Sequence, residues 1–130
     1  MSRGLLDTSV FIARESRELD VSALPDEVAV SVITYAELRA GVLAATDVSV
    51  RSRRLSTLQT VADLHPLPVD TAVADEWARL RLLLTAAGRR VHVNDTWIAA
   101  TALAHDVPVV TQDADYGTLA QISDLRVISV

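Results

Sequence analysis

Short apolar runs alternate along the chain with longer stretches whose apolar residues recur at helical spacing. The apolar runs predict five buried strands, at residues 4–6, 28–32, 67–69, 107–110 and 126–129. The longer stretches predict four helices between them, at residues 34–45, 50–64, 71–87 and 95–105. Strands that alternate with helices need crossover connections, so the pattern predicts an α/β fold, a three-layer sandwich with a mainly parallel central sheet.

Capping residues support these helix boundaries. Thr34 with Glu37 three residues later is typical of a capping box, and Asp70 and Asn94 are expected to be N-caps. Gly88 follows the third predicted helix, where a C-terminal glycine is expected.

In parallel sheets, ligands bind beyond the carboxyl ends of the strands where the strand order reverses, so polar residues that follow strands are the candidates for function.

The composition fits one domain that spans residues 1–130. Of the 130 residues, 50% are hydrophobic and none is cysteine. A chain of this size buries roughly two thirds of its unfolded surface and needs no disulfide, and the lack of cysteine excludes thiol chemistry and thiolate zinc sites. The chain shows neither an apolar leader nor an apolar stretch of about 18 residues, so we expect a cytoplasmic protein without a membrane span.

The charge balance excludes bulk attraction to nucleic acid. Twelve arginines and no lysine stand against 17 acidic residues, which gives a net charge of −5. A nucleic-acid partner must therefore be bound through local arginine clusters or through metal ions. Arg51, Arg53 and Arg54 form one cluster, for which a solvated helix face is the simpler interpretation. For Arg89 and Arg90, which precede the fourth predicted helix, phosphate contact and solvent exposure are equally good interpretations.

Several carboxylates follow predicted strands or open the helices after them. Asp7 follows the first strand, and Glu37 lies in the first turn of the helix after the second strand. Asp95 opens the fourth helix, and Asp113 follows the fourth strand, with Asp115 two residues further on. Converging carboxylates stay ionised mainly when a cation binds them, and a ligand set made only of oxygens suits Mg²⁺ or Mn²⁺. Such ions activate water and stabilise leaving oxygens, so the pattern predicts metal-assisted phosphoryl chemistry.

Each of these carboxylates also has a structural interpretation. Asp7 is a possible N-cap, and Glu37 is fully explained by the capping box, which is the better interpretation of that residue alone. Asp95 favours the positive end of a helix, while Asp113 and Asp115 are typical turn residues. Their joint placement at strand ends favours the functional interpretation.

Four segments resemble the signature segments of PIN domains, in the same order along the chain. They are residues 6–10 (LDTSV), 31–38 (SVITYAEL, with Gly41), 94–102 (NDTWIAATA) and 110–116 (VTQDADY). Within that family the chain is similar to VapC-type toxin ribonucleases, from Leu5 to the last predicted strand. The resemblance implies a toxin that hydrolyses RNA phosphodiester bonds, a cognate antitoxin protein that blocks its site, and a homodimer.

The resemblance also implies roles for particular residues. It implies an acidic Mg²⁺ or Mn²⁺ site whose catalytic and metal-binding residues are Asp7, Glu37, Asp95 and Asp113, with Asp115 at its edge. Two hydroxyl positions that help to order the pocket are matched by Ser9 and Thr111.

Other function classes share parts of this pattern. A catalytically silent PIN-fold module that binds RNA or protein keeps the fold, although the filling of all four acidic positions argues against it. A Mg²⁺-binding phosphoacceptor domain of receiver type shares the sandwich and the acidic pocket, but the chain has no lysine to contact a phosphoryl group. A haloacid-dehalogenase-type phosphatase needs a second Asp two residues after Asp7, where Ser9 stands.

Overall fold

Four short parallel strands form the central sheet within the described residues. The computed structural model describes residues 1–16 and 18–130. In chain order the strands are β1 (Arg3–Leu6), β2 (Glu27–Val30), β3 (Val109–Thr111) and β4 (Val127–Ser129). They lie side by side in the order β2-β1-β3-β4, and every neighbouring pair is parallel. The order reverses between β1 and β3, so a crevice is expected beyond the carboxyl ends of these two strands.

In the part of the chain that the structure describes, six α-helices connect and flank the strands. They are α1 (Thr8–Glu15), α2 (Val32–Ala44), α3 (Val48–Asp63), α4 (Thr71–Ala87), α5 (Val93–Ala104) and α6 (Tyr116–Ile122). One turn of 3₁₀-helix, Val21–Ala23, precedes β2. Within the described residues, no helix combines the length and the apolar character that crossing a membrane requires.

Successive residues of β1 and β3 face two separate cores, because side chains alternate between the faces of a strand. Leu5 and Val109 lie in one core, which residues of α4, α5 and α6 complete. Leu6 and Val110 lie in the other, together with residues of α1, α2 and α3. The sheet is thus the middle layer of a three-layer α/β sandwich, which confirms the predicted fold class.

Both ends of α4 agree with the sequence prediction. The Asp70 side chain accepts a hydrogen bond from the Val73 backbone N–H at 3.0 Å and caps the first turn. At the other end Gly88 adopts the left-handed conformation (φ 65°), and the Arg89 N–H reaches back to the Leu84 carbonyl at 3.0 Å. These contacts are local in sequence, which is why the sequence alone predicts them.

The strand predictions are partly wrong. The predicted strand at residues 67–69 is only an isolated bridge between Leu67 and Ser31. The predicted strand at 28–32 ends at Val30, because Ser31 caps α2 and Val32 begins it. The other three predicted strands, at 4–6, 107–110 and 126–129, are present with ends that differ by one or two residues.

The helix predictions need several corrections. The capping box is wrong: Ser31, not Thr34, is the N-cap of α2, and its hydroxyl accepts the Thr34 N–H at 3.2 Å. The N-cap of α5 is His92 rather than Asn94, since the His92 ring nitrogen accepts the Asn94 N–H at 3.3 Å. The short helices α1 and α6 were not among the four predicted, and α3 begins at Val48 rather than at residue 50.

Candidate active site

The predicted crevice at the ends of β1 and β3 contains the candidate carboxylates. Asp7 follows β1 directly and is the N-cap of α1. Thr111 is the last residue of β3, and Asp113 follows it. Since β1 and β3 are neighbours in the sheet, their carboxyl ends bring these residues together although they lie about one hundred positions apart.

Asp7 is a buried carboxylate held by three uncharged donors. Its side chain is 3% exposed. Oδ2 accepts the Thr111 hydroxyl at 2.9 Å and the Ser9 backbone N–H at 3.3 Å. Oδ1 accepts the Tyr116 hydroxyl at 2.8 Å. These bonds fix the orientation of the carboxylate and satisfy part of its hydrogen-bonding capacity without neutralising its charge.

Tyr116 links Asp7 to a second carboxylate. The Tyr116 side chain is fully buried, and its hydroxyl also lies 3.3 Å from Oδ1 of Asp95. Burial, followed by the two nearby carboxylates, raises the pKa of Tyr116 far above its usual value. The hydroxyl therefore stays protonated and remains a donor to these carboxylates.

A group of three carboxylates lies next to Asp7. One oxygen each from Asp95, Asp113 and Asp115 lies within 4.8 Å of the others. The Asp115 N–H donates to Oδ1 of Asp113 at 2.9 Å, and the Asp113 N–H donates to the Thr111 hydroxyl at 2.8 Å. The loop after β3 is therefore folded so that both of its carboxylates approach Asp95.

The environment of Asp95 disfavours its negative charge. Burial is the largest cause that raises the pKa of Asp95 to about 6, and the charges of Asp7 and Asp113 add to it. The nearby His92 and the Tyr116 hydroxyl act in the opposite direction. A carboxylate with this pKa gains most from a cation placed among these groups.

Ser9 and Thr111 lie against Asp7. Because the single hydroxyl proton of Thr111 goes to Asp7, the Ser9 hydroxyl is the donor in its 3.2 Å contact with the Thr111 hydroxyl. The Ser9 hydroxyl also accepts the Gln112 N–H at 3.0 Å. The two hydroxyls thus join α1 to the end of β3.

Glu37 is not a member of the three-carboxylate group. Its Oε1 accepts the hydroxyl of Thr8 at 2.8 Å, and that hydroxyl lies 3.0 Å from the hydroxyl of Thr34. Glu37 lines a concavity of about 290 Å³, which Ile12 and Arg54 also line. Thr8 directly follows Asp7 in the chain, so Glu37 lies at the edge of the site rather than at its centre.

Three residues that contact the candidate carboxylates or lie near them have no role predicted from the sequence: Tyr116, Thr8 and His92. Tyr116 directly follows Asp115, and Thr8 directly follows Asp7. These positions beside candidate carboxylates are the features of the sequence that could have indicated a role for them. Nothing in the sequence shows that the Tyr116 hydroxyl reaches Asp7, which is 109 residues away.

The donor set fits a hard divalent cation. The grouped ligand atoms in the described residues are all carboxylate oxygens, which suit Mg²⁺ or Mn²⁺. The raised pKa of Asp95 is also what a site built to receive a cation shows in the absence of one.

The fold and this acidic crevice together are those of a nuclease domain. A PIN domain family model matches residues 4–122, and the chain belongs to that family. The resemblance predicted from the four sequence segments is thereby confirmed.

Relatives in sequence and structure point to the same group. The chain is 53% identical to Ribonuclease VapC5 of Mycobacterium tuberculosis over 98% of its own length and 95% of that protein. It is 47% identical to Ribonuclease VapC4 of the same organism, over 98% and 97% of the two chains. The crystal structure of VapBC-5 from M. tuberculosis, a member of the VapBC family of toxin-antitoxin systems, superposes with a TM-score of 0.91 at 50% identity and covers all of both chains.

Proposed function

We propose that this chain is a metal-dependent endoribonuclease that hydrolyses RNA phosphodiester bonds and is the toxin of a toxin-antitoxin pair. The observation that carries the proposal is the convergence of Asp95, Asp113 and Asp115 beside Asp7, which Tyr116 links to Asp95. The relatives named as ribonucleases supply the substrate class. Residues 1–130 are proposed to be a single nuclease domain, because both cores pack on one sheet.

The proposed metal ligands are the carboxylates of the crevice. Asp7, Asp95 and Asp113 would hold the ion, Asp115 would complete the group, and Glu37 would contribute from the edge. These residues would hold a Mg²⁺ or Mn²⁺ ion, which would supply activation of the attacking water and stabilisation of the charge that develops on the phosphate.

The surrounding hydroxyls prepare these carboxylates. Thr111 and Tyr116 hold the two oxygens of Asp7 in fixed directions, and Ser9 keeps the Thr111 hydroxyl turned toward Asp7. The Thr8 hydroxyl holds Glu37 by one oxygen. Because such partners orient charged ligands before an ion binds, they reduce the reorganisation that binding requires.

The proposed activity is tested with labelled RNA and purified protein. We expect cleavage in the presence of Mg²⁺ or Mn²⁺, no cleavage with chelator, and recovery when excess metal is restored. A single-stranded DNA of the same sequence is the control for the nature of the substrate. RNA that stays intact with every divalent ion, in a protein shown to be folded, would contradict the proposal.

Tyr116→Phe is expected to lower the affinity for Mn²⁺ roughly tenfold, because Asp7 loses the hydroxyl that donates to its Oδ1 and Asp95 loses its longer contact with the same hydroxyl. Isothermal titration with Mn²⁺ measures this without relying on activity. The matched control is Tyr35→Phe, which removes a hydroxyl that is hydrogen-bonded to Arg39 on α2. Equal Mn²⁺ affinities for parent, variant and control would show that Tyr116 does not position the ligands.

An acidic crevice of this kind is complementary to a basic segment of a partner. An arginine from a cognate antitoxin can bind carboxylates through two parallel hydrogen bonds and compete with the ion. We therefore expect expression of this chain alone to arrest growth of a bacterial host, and co-expression of its antitoxin to restore growth. Normal growth with soluble, active nuclease present would argue against the toxin assignment while leaving the nuclease assignment intact.

The homodimer stays a prediction. Leu43 on α2 and Leu82 on α4 are 66% and 70% exposed, so both apolar helix faces offer surface for a second copy. Sedimentation velocity of the purified protein measures the oligomeric state directly.

A further inference from the structure

Three arginines line one concavity at the end of α4. Arg81, Arg89 and Arg90 surround a space of about 600 Å³ together with Leu84 and neighbouring residues of the α4–α5 loop. We call this concavity the arginine cleft. The protein carries a net charge of −5, so the cleft is a local reversal of its overall charge.

Two of the three arginines are held in place by uncharged groups. The Arg81 guanidinium lies over the Trp77 ring, 5.7 Å from its centroid, and Trp77 stacks on Trp97 with centroids 4.7 Å apart. The Arg89 guanidinium donates to the Thr118 hydroxyl at 3.0 Å. An aromatic face and a hydroxyl orient a guanidinium but do not neutralise it.

The arginine cleft keeps its positive charge. The ion pairs found among residues 1–16 and 18–130 involve Arg3, Arg79 and Arg126, and none of them involves an arginine of the cleft. Fixed guanidinium groups without acidic partners, gathered around a concave surface, are suited to bind phosphate oxygens through pairs of hydrogen bonds.

Two helices carry both residues of the acidic site and residues that hold the cleft arginines. Trp97, which supports the Trp77 platform, lies two residues after Asp95 on α5. Thr118, which holds Arg89, lies two residues after Tyr116 on α6. The helices that carry Asp95 and Tyr116 therefore also fix the positions of the cleft arginines.

An RNA nuclease with this surface faces an electrostatic problem. The carboxylates of the crevice repel a polyanion, and the net charge of the chain adds to the repulsion. Contacts to backbone phosphates supply most of the sequence-independent affinity of proteins for nucleic acids, and they position the strand. The cleft arginines, which form none of the ion pairs found in the described part of the chain, are suited to supply these contacts.

We propose that the arginine cleft binds backbone phosphates of the RNA substrate on one side of the cleavage site. This inference rests on the proposed function and deepens it, because it assigns the residues that hold the strand. The cleft binds phosphates, so it contributes affinity and register rather than base recognition.

The first test measures RNA binding separately from cleavage. All variants carry Asp95→Asn, and the probe is a fluorescently labelled single-stranded RNA of mixed sequence in the presence of chelator. Arg89→Gln/Arg90→Gln is expected to weaken binding about tenfold or more. The slope of log affinity against log salt should become shallower by about 0.7 for each phosphate that the variant no longer binds.

Two further variants separate this effect from loss of bulk charge or of folding. Arg51→Gln/Arg53→Gln removes the same charge from the exposed face of α3 and should change the affinity less than about twofold. Arg89→Lys/Arg90→Lys keeps the charge and should keep most of the salt slope. Thermal melting confirms that each variant is folded. Equal weakening by both glutamine pairs, or none by either, would overturn the proposal.

Kinetics with the unmodified active site distinguish failure of this inference from failure of the proposed function. Arg89→Gln/Arg90→Gln should raise KM for RNA and leave kcat near that of the parent, since these arginines bind the substrate and the transition state equally. If this variant cleaves RNA with the KM of the parent, the proposal that the arginine cleft binds the substrate is wrong, and the nuclease assignment is unaffected. The opposite result is that the parent does not cleave RNA, while salt-dependent RNA binding is lost only in the cleft variant. That result would contradict the nuclease assignment and support phosphate binding by the arginine cleft.

A protein partner is the remaining occupant to be tested. If Arg89→Gln/Arg90→Gln leaves RNA affinity unchanged and weakens binding of the antitoxin, the cleft is a protein-binding surface and the proposal is wrong. If RNA affinity falls and antitoxin affinity does not, the proposal is supported.

Discussion

Asp7→Asn should reduce RNA cleavage by at least about a hundredfold while the protein remains folded. Asn has nearly the same shape as Asp, but it carries no negative charge and offers one acceptor oxygen instead of two. The amide therefore cannot both bind a cation and accept the three donors that now hold Asp7. Loss of a charged ligand removes the site for the ion on which the proposed hydrolysis depends.

The measurement is the initial rate of cleavage of a labelled RNA, with circular dichroism and thermal melting to check the fold. Asp75→Asn is the matched control, because Asp75 is exposed on α4 and does not belong to the carboxylate group of the site. We expect that control to cleave at the parent rate. A well-folded Asp7→Asn protein that also does so would show that the metal site has been assigned to the wrong residues.

The place of the site was predictable because it follows from topology. Once the alternation of strands and helices indicates a parallel sheet, polar residues after strands fall at one edge, and Asp7 and Asp113 do so. The bounds of α4 were predictable for a different reason, since Asp70 and Gly88 act on atoms a few residues away.

What the sequence could not show depends on distant contacts. Thr34 and Ser31 are both suitable N-caps, and the competition is decided in the folded chain, where Thr34 packs against Thr8 from another element. Glu37 then accepts the Thr8 hydroxyl instead of closing a capping box. The reach of Tyr116 to Asp7 likewise exists only after β1 and β3 pair.

Short elements were missed for a related reason. Helices α1 and α6 have eight and seven residues, which is about two turns, too few for a helical period to be distinguished from chance. The strand predicted at residues 67–69 has the opposite problem. Its apolar residues match the pattern of a buried strand, but in the described structure they form only an isolated bridge, between Leu67 and Ser31.

The carboxylates of the crevice should make the metal-free protein less stable as the pH rises. The pKa of Asp95 is about 6 in the folded protein and near 3.8 in the unfolded chain, so between these values the folded state binds more protons. The free energy of unfolding therefore falls as the pH rises from about 4 to about 6, and the penalty is fully present at neutral pH. Thermal melts in chelator across this range measure the slope.

Asp95→Asn should remove this penalty and, with it, much of the response to metal. In chelator at neutral pH the variant is expected to melt at a higher temperature than the parent, because a half-buried charge that Asp7 and Asp113 repel is gone. Mg²⁺ at about 100 times its dissociation constant should stabilise the parent by about 2.7 kcal/mol if the unfolded chain binds none, and the variant by much less. Asp75→Asn, whose carboxylate lies outside the crevice, should melt and respond to Mg²⁺ as the parent does. Equal Mg²⁺ shifts in the parent and in Asp95→Asn would mean that the ion binds elsewhere on the protein, because a site that includes Asp95 cannot lose a charged ligand and keep its affinity.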